Sequence, residues 1–477
     1  METKKIFVLG NGFDLAHYLP TAYIHFMEAM QVVENSHTSS ELGFDDLFKS
    51  RLDNEDWFLF RTKELYKTDD LILTAEIVDD LREKLKQNGW FQHFKHHLAD
   101  VDTWIDFETE IENVLRDFSL VFNTAFDTGT VRQHYYNDEE KLAKLQVSKE
   151  SEVLFNERFF QQFGIKSNKI FPLFFTFNLF RNGYVLREHD RWGDFIDYKI
   201  LENENDYDYK NADVRYKHEF KNIIDSYYLK RIGNIFTSFY EDKIFKMLAK
   251  QLEEFSKIFE LYISNLVNKL NPIKPFPSFE KINDNIELVF TFNYSDTFQR
   301  FYANNKNDIS RHLHGSAGKR NIVFGISDLD ESLKKYKIFD FVKTYQKIIN
   351  NTDFQFLDEK ALKIKKLYDV VTHNRLSASG IKYVQPFKYE IIIWGHSLDV
   401  SDKEYIQEIF SLRDKGREHE TFLKVYYHQT PHSSLANLMN IMGKDIIQKW
   451  VKNKWLIFEE TPDIYQIYQV HYEDKDA

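Results

Sequence analysis

The sequence predicts a doubly wound α/β fold, a mostly parallel sheet interrupted by a large and mainly helical insertion. Three observations predict it. Short runs that are apolar nearly throughout cluster toward the two ends of the chain. Helical patterns separate several of them. A glycine turn follows the first run directly, as "IFVLGNG".

The runs are "IFVLG" (6–10), "IELVFTF" (286–292), "NIVFGI" (321–326), "YEIIIWGHS" (389–397), "FLKVYYH" (422–428) and "KWLIFEE" (454–460). Apolar residues without alternation mark strands buried on both faces, the condition of a parallel sheet. "KEYIQEIFSLRDKG" (403–416) and "SLANLMNIMGKDIIQKWV" (434–451) supply helices between late strands, and this alternation is the signature of α/β layering. From about residue 41 to 283 the character changes to long amphipathic patterns such as 79–98 and 245–270, which predict helices. "NPIKPFPSF" (271–279), with three prolines in nine residues, reads as the linker out of that insertion. The sheet domain is therefore discontinuous, 1–40 with 284–477, around an insertion at 41–283.

Composition narrows the function classes. The chain has 477 residues, enough for more than one domain, with 43% hydrophobic and 29% charged residues, an ordinary globular balance. The high aromatic share, 16%, is spread along the chain and reads as core filling. A net charge of −12 argues against broad binding to nucleic acid through phosphate neutralisation. The absence of cysteine removes disulfides, thiolate metal sites and cysteine nucleophiles. The amino terminus carries no export-signal pattern, and the greasiest stretch, 170–180, is too short to cross a bilayer. A cytoplasmic, membrane-free protein is expected.

Four polar strand ends carry the chemistry. "GNGFDL" has Gly10 and Gly12 at the spacing of the Rossmann fingerprint, but Leu15 stands where its third glycine belongs, and no Gly-Lys-Ser/Thr makes it a P-loop. Alone it reads equally well as a tight turn without a ligand. "TFNYSD" (291–296), "HLHGS" (312–316) and "WGHSLDVSD" (394–402) also end or follow apolar runs. Ligands of open α/β sheets bind at the carboxyl ends of strands, so the fold would gather all four motifs on one edge.

In this order the motifs resemble the sirtuin-like NAD-binding fold over about 1–35 and 284–430. More closely, "GNGFDLAHYLPTAY", "WIDFETEI" (104–111), "FTFNYSDTFQR", "HLHG", "VFGI" and "WGHSLDVSDKEY" resemble the AbiH family of bacteriophage abortive-infection proteins over nearly the whole chain. The resemblance implies NAD as ligand or substrate. It places Gly10 and Gly12 at the turn beside the NAD pyrophosphate, Asn293 at the nicotinamide ribose and His314, just before Gly315, as the catalytic histidine, with Asn11, Phe13, Asp14, Pro20, Thr21, Thr291 and Gly315 also among the cofactor-binding residues. Gly395, His396, Ser397 and Leu398 would cradle the adenosine side. The chain departs from sirtuins at Tyr18, usually glycine, at Asp14, usually serine, at Ser295, where the acidic residue has slipped to Asp296, and at His428, where an asparagine is expected.

Without the four-cysteine zinc module of sirtuin deacylases, the expected reaction is cleavage of the bond between nicotinamide and ribose. Its transition state resembles an oxocarbenium ion, and the leaving group is already cationic. Asn293 would position ribose and water, and His314 would transfer a proton. Asn293 as a turn cap and Asp14 as a helix-start residue are the structural alternatives. Asp399 and Asp402 read as caps of the following helix. "WIDFETEI" is either an amphipathic helix or a source of acids at the site mouth. His93, His96 and His97 read as a solvated helix face, so no metal is expected. The expected function is phage-triggered NAD hydrolysis in a homo-oligomer with a phage-derived trigger or partner protein. The alternative is a non-catalytic nucleotide-binding sensor.

Overall fold

A computed structural model describes residues 3–98, 103–124, 173–189, 195–201, 214–232, 235–277, 286–303, 310–352, 356–357, 388–412 and 421–476. The boundary at 284, the last two linker residues, the first three residues of the 170–180 stretch and the end of the helix expected to reach 416 lie outside the described residues.

Among the described residues six parallel strands form the central sheet: β1 (Thr3–Leu9), β2 (Ile286–Thr291), β3 (Ser310–His312), β4 (Lys388–Trp394), β5 (Thr421–Tyr427) and β6 (Leu456–Glu460). Their spatial order is β3-β2-β1-β4-β5-β6. The order runs outward in one direction from β1 to β3 and in the other from β4 to β6. The topological switch falls between β1 and β4, paired in register from Thr3 with Lys388 to Leu9 with Trp394.

The lack of alternation along the strands has the expected cause. Phe7, Leu9, Val289, Ile392 and Trp394 join one buried cluster, while Ile6, Val8, Phe290, Ile391 and Ile393 join another. Successive side chains point to opposite faces, so each strand needs apolar residues at every position. The first face packs against α1 (Asn11–Ala16), α2 (Tyr23–Asn35) and the insertion, including α3 (Gly89–His96), α4 (Trp104–Thr124) and α5 (Glu241–Asn265). The second packs against α6 (Lys403–Ser411) and the helices His432–Met442 and Lys444–Lys452.

Two expectations change. "NIVFGI" is no sheet strand. Ile322, Val323 and Phe324 are buried, but the backbone of Phe324 bonds the Gln346 side chain: its N–H donates to Gln346 Oε1 at 3.0 Å and its carbonyl accepts from Gln346 Nε2. One glutamine replaces a strand partner there. The edge strand is the short, polar Ser310–His312. The segment between β1 and β2 also holds more than helices. It contains a three-stranded antiparallel sheet (Phe180–His189, Phe195–Leu201, Val214–Ile224) and a hairpin (Leu229–Ile232, Ile235–Phe239). No helix among the described residues is long and apolar enough to cross a membrane.

Candidate functional site

The carboxyl ends of β1, β2, β3 and β4 meet at a cavity of about 300 Å³. Gly10, Asn11, Asp14, Thr21, Asn293, His314, Gly395, His396 and Ser397 line it, from all four expected strand ends. Gly12, Phe13, Pro20, Thr291, Gly315 and Leu398 stand behind this lining rather than in it. Exposed His428 is outside it as well.

Gly10 and Gly12 serve backbone contact. The Gly10 N–H donates to Trp394 O at 3.0 Å and the Gly12 N–H to Gly395 O at 2.8 Å, so both are used in joining the β1 and β4 turns. Gly395 has φ +72, and a Cβ there would lie 2.1 Å from Phe13 N. Leu15, in place of a third glycine, turns its side chain to the cavity wall. Tyr18, the position expected to favour glycine, does have φ +56. A non-glycine residue tolerates that at a cost of about 1 kcal/mol, and the Tyr18 ring packs on Trp57, Phe58 and Tyr465.

Asp14 is buried at the cavity floor. Ser295 Oγ donates to its Oδ2, and Thr297 Oγ1 lies 2.9 Å from Ser295 Oγ. Burial raises the Asp14 pKa to about 6, against the opposing hydrogen bonds of Ser295, Thr297 and Asn293. The serine found where an acid was expected therefore supports an acid found where a serine was expected. The two residue types have exchanged places across the turn.

The two histidines of "HLHG" separate. His312 Nδ1 bonds Asn293 O at 2.9 Å, which fixes the peptide beside the Asn293 side chain. His314 faces the cavity with Nε2 3.7 Å from Asp402 Oδ1, beyond hydrogen-bond reach. Burial, reinforced by Lys347 and Lys343, holds the His314 pKa well below its ordinary value, so the ring is neutral at neutral pH.

Asp402 holds the N-cap position of α6, but its side chain makes no capping bond. Asp399 caps the 3-10 turn before it, Val400–Asp402, accepting from the Ser401 N–H at 2.9 Å, while Asp402 Oδ2 lies 3.3 Å from His396 Nε2. On the wall from the insertion, Glu108 forms an ion pair with the buried Lys343. The three acids of "WIDFETEI" have distinct partners: Asp106 accepts from the Thr103 N–H at 2.9 Å, Glu108 faces the cavity, and Glu110 bonds His93 at 2.8 Å. Lys343 had no motif to mark it, and Glu108 was marked only by the acidic run.

Aromatic side chains complete the lining: Tyr23, Trp104, Phe107, Phe259, Phe292 and Phe324. Four buried polar atoms around this one cavity, Asp14 Oδ1, Thr21 Oγ1, Tyr23 Oη and His314 Nε2, have no hydrogen-bond partner among the described residues. Buried polar groups are ordinarily satisfied, so their convergence marks a place for a polar ligand bounded by aromatic faces.

Fold and cavity together define the chain as a parallel α/β protein with a buried polar site at the carboxyl edge of its sheet. The family model for bacteriophage abortive infection AbiH matches residues 6–423, and the chain belongs to that family. Membership places it among proteins of abortive infection, a defence against phage. No curated protein and no solved structure matches the chain.

Proposed function

We propose that the chain is an abortive-infection effector that binds NAD in this cavity and, on phage infection, hydrolyses it to nicotinamide and ADP-ribose. The carrying observation is the four orphaned polar atoms that converge between aromatic walls. The strand order β3-β2-β1-β4-β5-β6 supports the reading, because dinucleotide-binding Rossmann sheets have this order and bind at the same switch point. The sirtuin-like resemblance of the four strand-end motifs points the same way.

A cavity of about 300 Å³ is at the low end for small-molecule sites. It encloses one nucleoside half of a dinucleotide, with the rest leaving past the exposed Ser397. The enclosed half is the nicotinamide riboside. Its cationic ring fits a wall of aromatic faces and carboxylates, and Asn293 and Asp14 reach its ribose hydroxyls. Loss of nicotinamide leaves an oxocarbenium-like sugar. His314, held neutral, accepts the proton of the attacking water, and the aromatic lining excludes other water.

The test is nicotinamide release by purified protein, with and without phage lysate, beside Asn293→Ala and His314→Ala. Release that both substitutions abolish, with NAD binding retained by His314→Ala, is the expected result. Full activity in both variants would overturn the site. Tight NAD binding without release under any condition would leave the second reading, a nucleotide sensor that signals to a partner. Failure to bind NAD or ADP-ribose would remove both.

A further inference from the structure

Away from the cavity, the "HFKHH" histidines do not share one solvated face: His96 is exposed, but His93 and His97 turn toward α4. His93 is buried, and with His97 and Glu110 it places three donor atoms within 4.8 Å of one another. His93 and His97 are one helical turn apart on α3 and its C-cap, so both rings project from one side. Their centroids are 4.5 Å apart. Glu110 comes from the next helix, α4, with Oε1 2.8 Å from His93 Nε2. Its other oxygen accepts from Asn113 Nδ2 at 2.9 Å, one turn along the same face.

We propose that His93, His97 and Glu110 form a divalent transition-metal site, with zinc the best-suited ion. Two imidazoles and one carboxylate are a recurrent zinc set, leaving a fourth position for solvent. The Asn113 amide does what outer partners of such sites do, orienting the ligating carboxylate. Bonds of about 2 Å require the half-buried His97 ring to turn inward. The neighbouring His96 belongs to the helix but not to the cluster.

The position gives the ion a purpose. Glu110 lies two residues after Glu108, roughly 200° around the helix, so the proposed metal face and the cavity face of α4 are opposed. An ion held there would pin α4 to α3 and thereby fix Trp104, Phe107 and Glu108 in the cavity wall. It is a positioning site, independent of what the cavity binds.

The test is titration of the full, chelator-treated chain with Co²⁺ as the spectroscopic probe, followed by displacement with Zn²⁺. One equivalent of Co²⁺ should produce the intense visible bands of a four- or five-coordinate ion, and Zn²⁺ should abolish them and raise Tm. His97→Gln and Glu110→Gln should each lose those bands, while His96→Gln should keep them. Asn113→Ala should bind about tenfold more weakly. Near-ultraviolet circular dichroism identifies any variant that fails to fold, and His97→Gln, at the half-buried member, is then the decisive one. Bands no stronger than those of aqueous Co²⁺ in the parent chain, or bands unchanged in both ligand variants, would overturn the proposal.

Discussion

Asp402 sits between two histidines, with Oδ2 3.3 Å from His396 Nε2 and Oδ1 3.7 Å from His314 Nε2. The first contact is oriented by the backbone. The Leu398 N–H donates to His396 Nδ1 at 2.9 Å, so Nδ1 is an acceptor and the ring presents its Nε2–H to Asp402. Leu398 itself holds φ +56 to make that bond. Although burial opposes ionisation, the His396 hydrogen bond and the nearby Lys343 hold the Asp402 carboxyl well below the ordinary carboxylate range.

Asp402→Asn should therefore destabilise the protein at neutral pH. It removes the buried anion beside Lys343 and Lys347, and breaking a buried charge cluster costs about 3–5 kcal/mol. The sign with pH follows from a depressed carboxylate. Its stabilisation is present above the unfolded value of 3.8 and declines as pH falls below it. Urea denaturation of parent and variant should show the gap at pH 7 and a narrowing below pH 4. An equal gap at every pH would mean that packing, rather than charge, holds Asp402.

Glu108 and Lys343 make the corresponding pair across the insertion. Burial raises the Glu108 pKa against the effect of Lys343, and burial also works against the Lys343 charge, which Glu108 and Asp402 restore. Removing one partner strands the other. Glu108→Gln alone should cost about 3–5 kcal/mol, and Glu108→Gln with Lys343→Met should recover most of it. A double-mutant cycle by chemical denaturation measures the coupling. Additive losses would show that the two side chains stabilise the wall independently.

These pairs also mark where the sequence stopped being legible. The sheet could be read because each buried strand writes its environment into consecutive residues, as β1 and β4 do. The edge strand Ser310–His312 could not, since three polar residues carry no such pattern. "NIVFGI" misled for the converse reason: apolar runs record burial, and Gln346 satisfies that backbone without a ladder. In the site, glycine and asparagine turns stood out because they follow strands. Glu108, Lys343 and Asp402 come from three distant segments and meet only through the fold, so no spacing could join them. Asp402 does stand at the N-cap position of α6, and only the structure shows its carboxylate turned to His396 instead of to the helix N–H groups.

The joined glycine turns make a sharper stability prediction. Gly395→Ala would put a methyl group 2.1 Å from Phe13 N in a residue with φ +72, against backbone that cannot rotate away. Gly318 has φ +87 but nothing within 4 Å of its added Cβ. Gly318→Ala should thus cost only the conformational term, about 1 kcal/mol. Gly395→Ala should cost several times more or abolish folding. Matched thermal melts separate clash from backbone strain, and similar Tm losses would show that the β1 and β4 turns can part without penalty.

Asp14 gives the prediction that links stability to function. Its pKa rises from 3.8 to about 6 on folding because burial disfavours the carboxylate. That rise corresponds to about 3 kcal/mol. For a group raised on folding, the favourable contribution is complete below the unfolded value and is lost as pH climbs through about 6. Asp14→Asn keeps an acceptor for Ser295 and avoids the buried charge. The variant should therefore be more stable than the parent above pH 6, by up to about 3 kcal/mol, with the difference vanishing toward pH 4. Urea titrations across that range measure it directly. If Asp14 contacts the ribose as proposed, the same variant should lose nicotinamide release while it gains stability, the trade expected of a strained functional group. A variant less stable than the parent at every pH would show instead that the Ser295 bond outweighs the burial of charge.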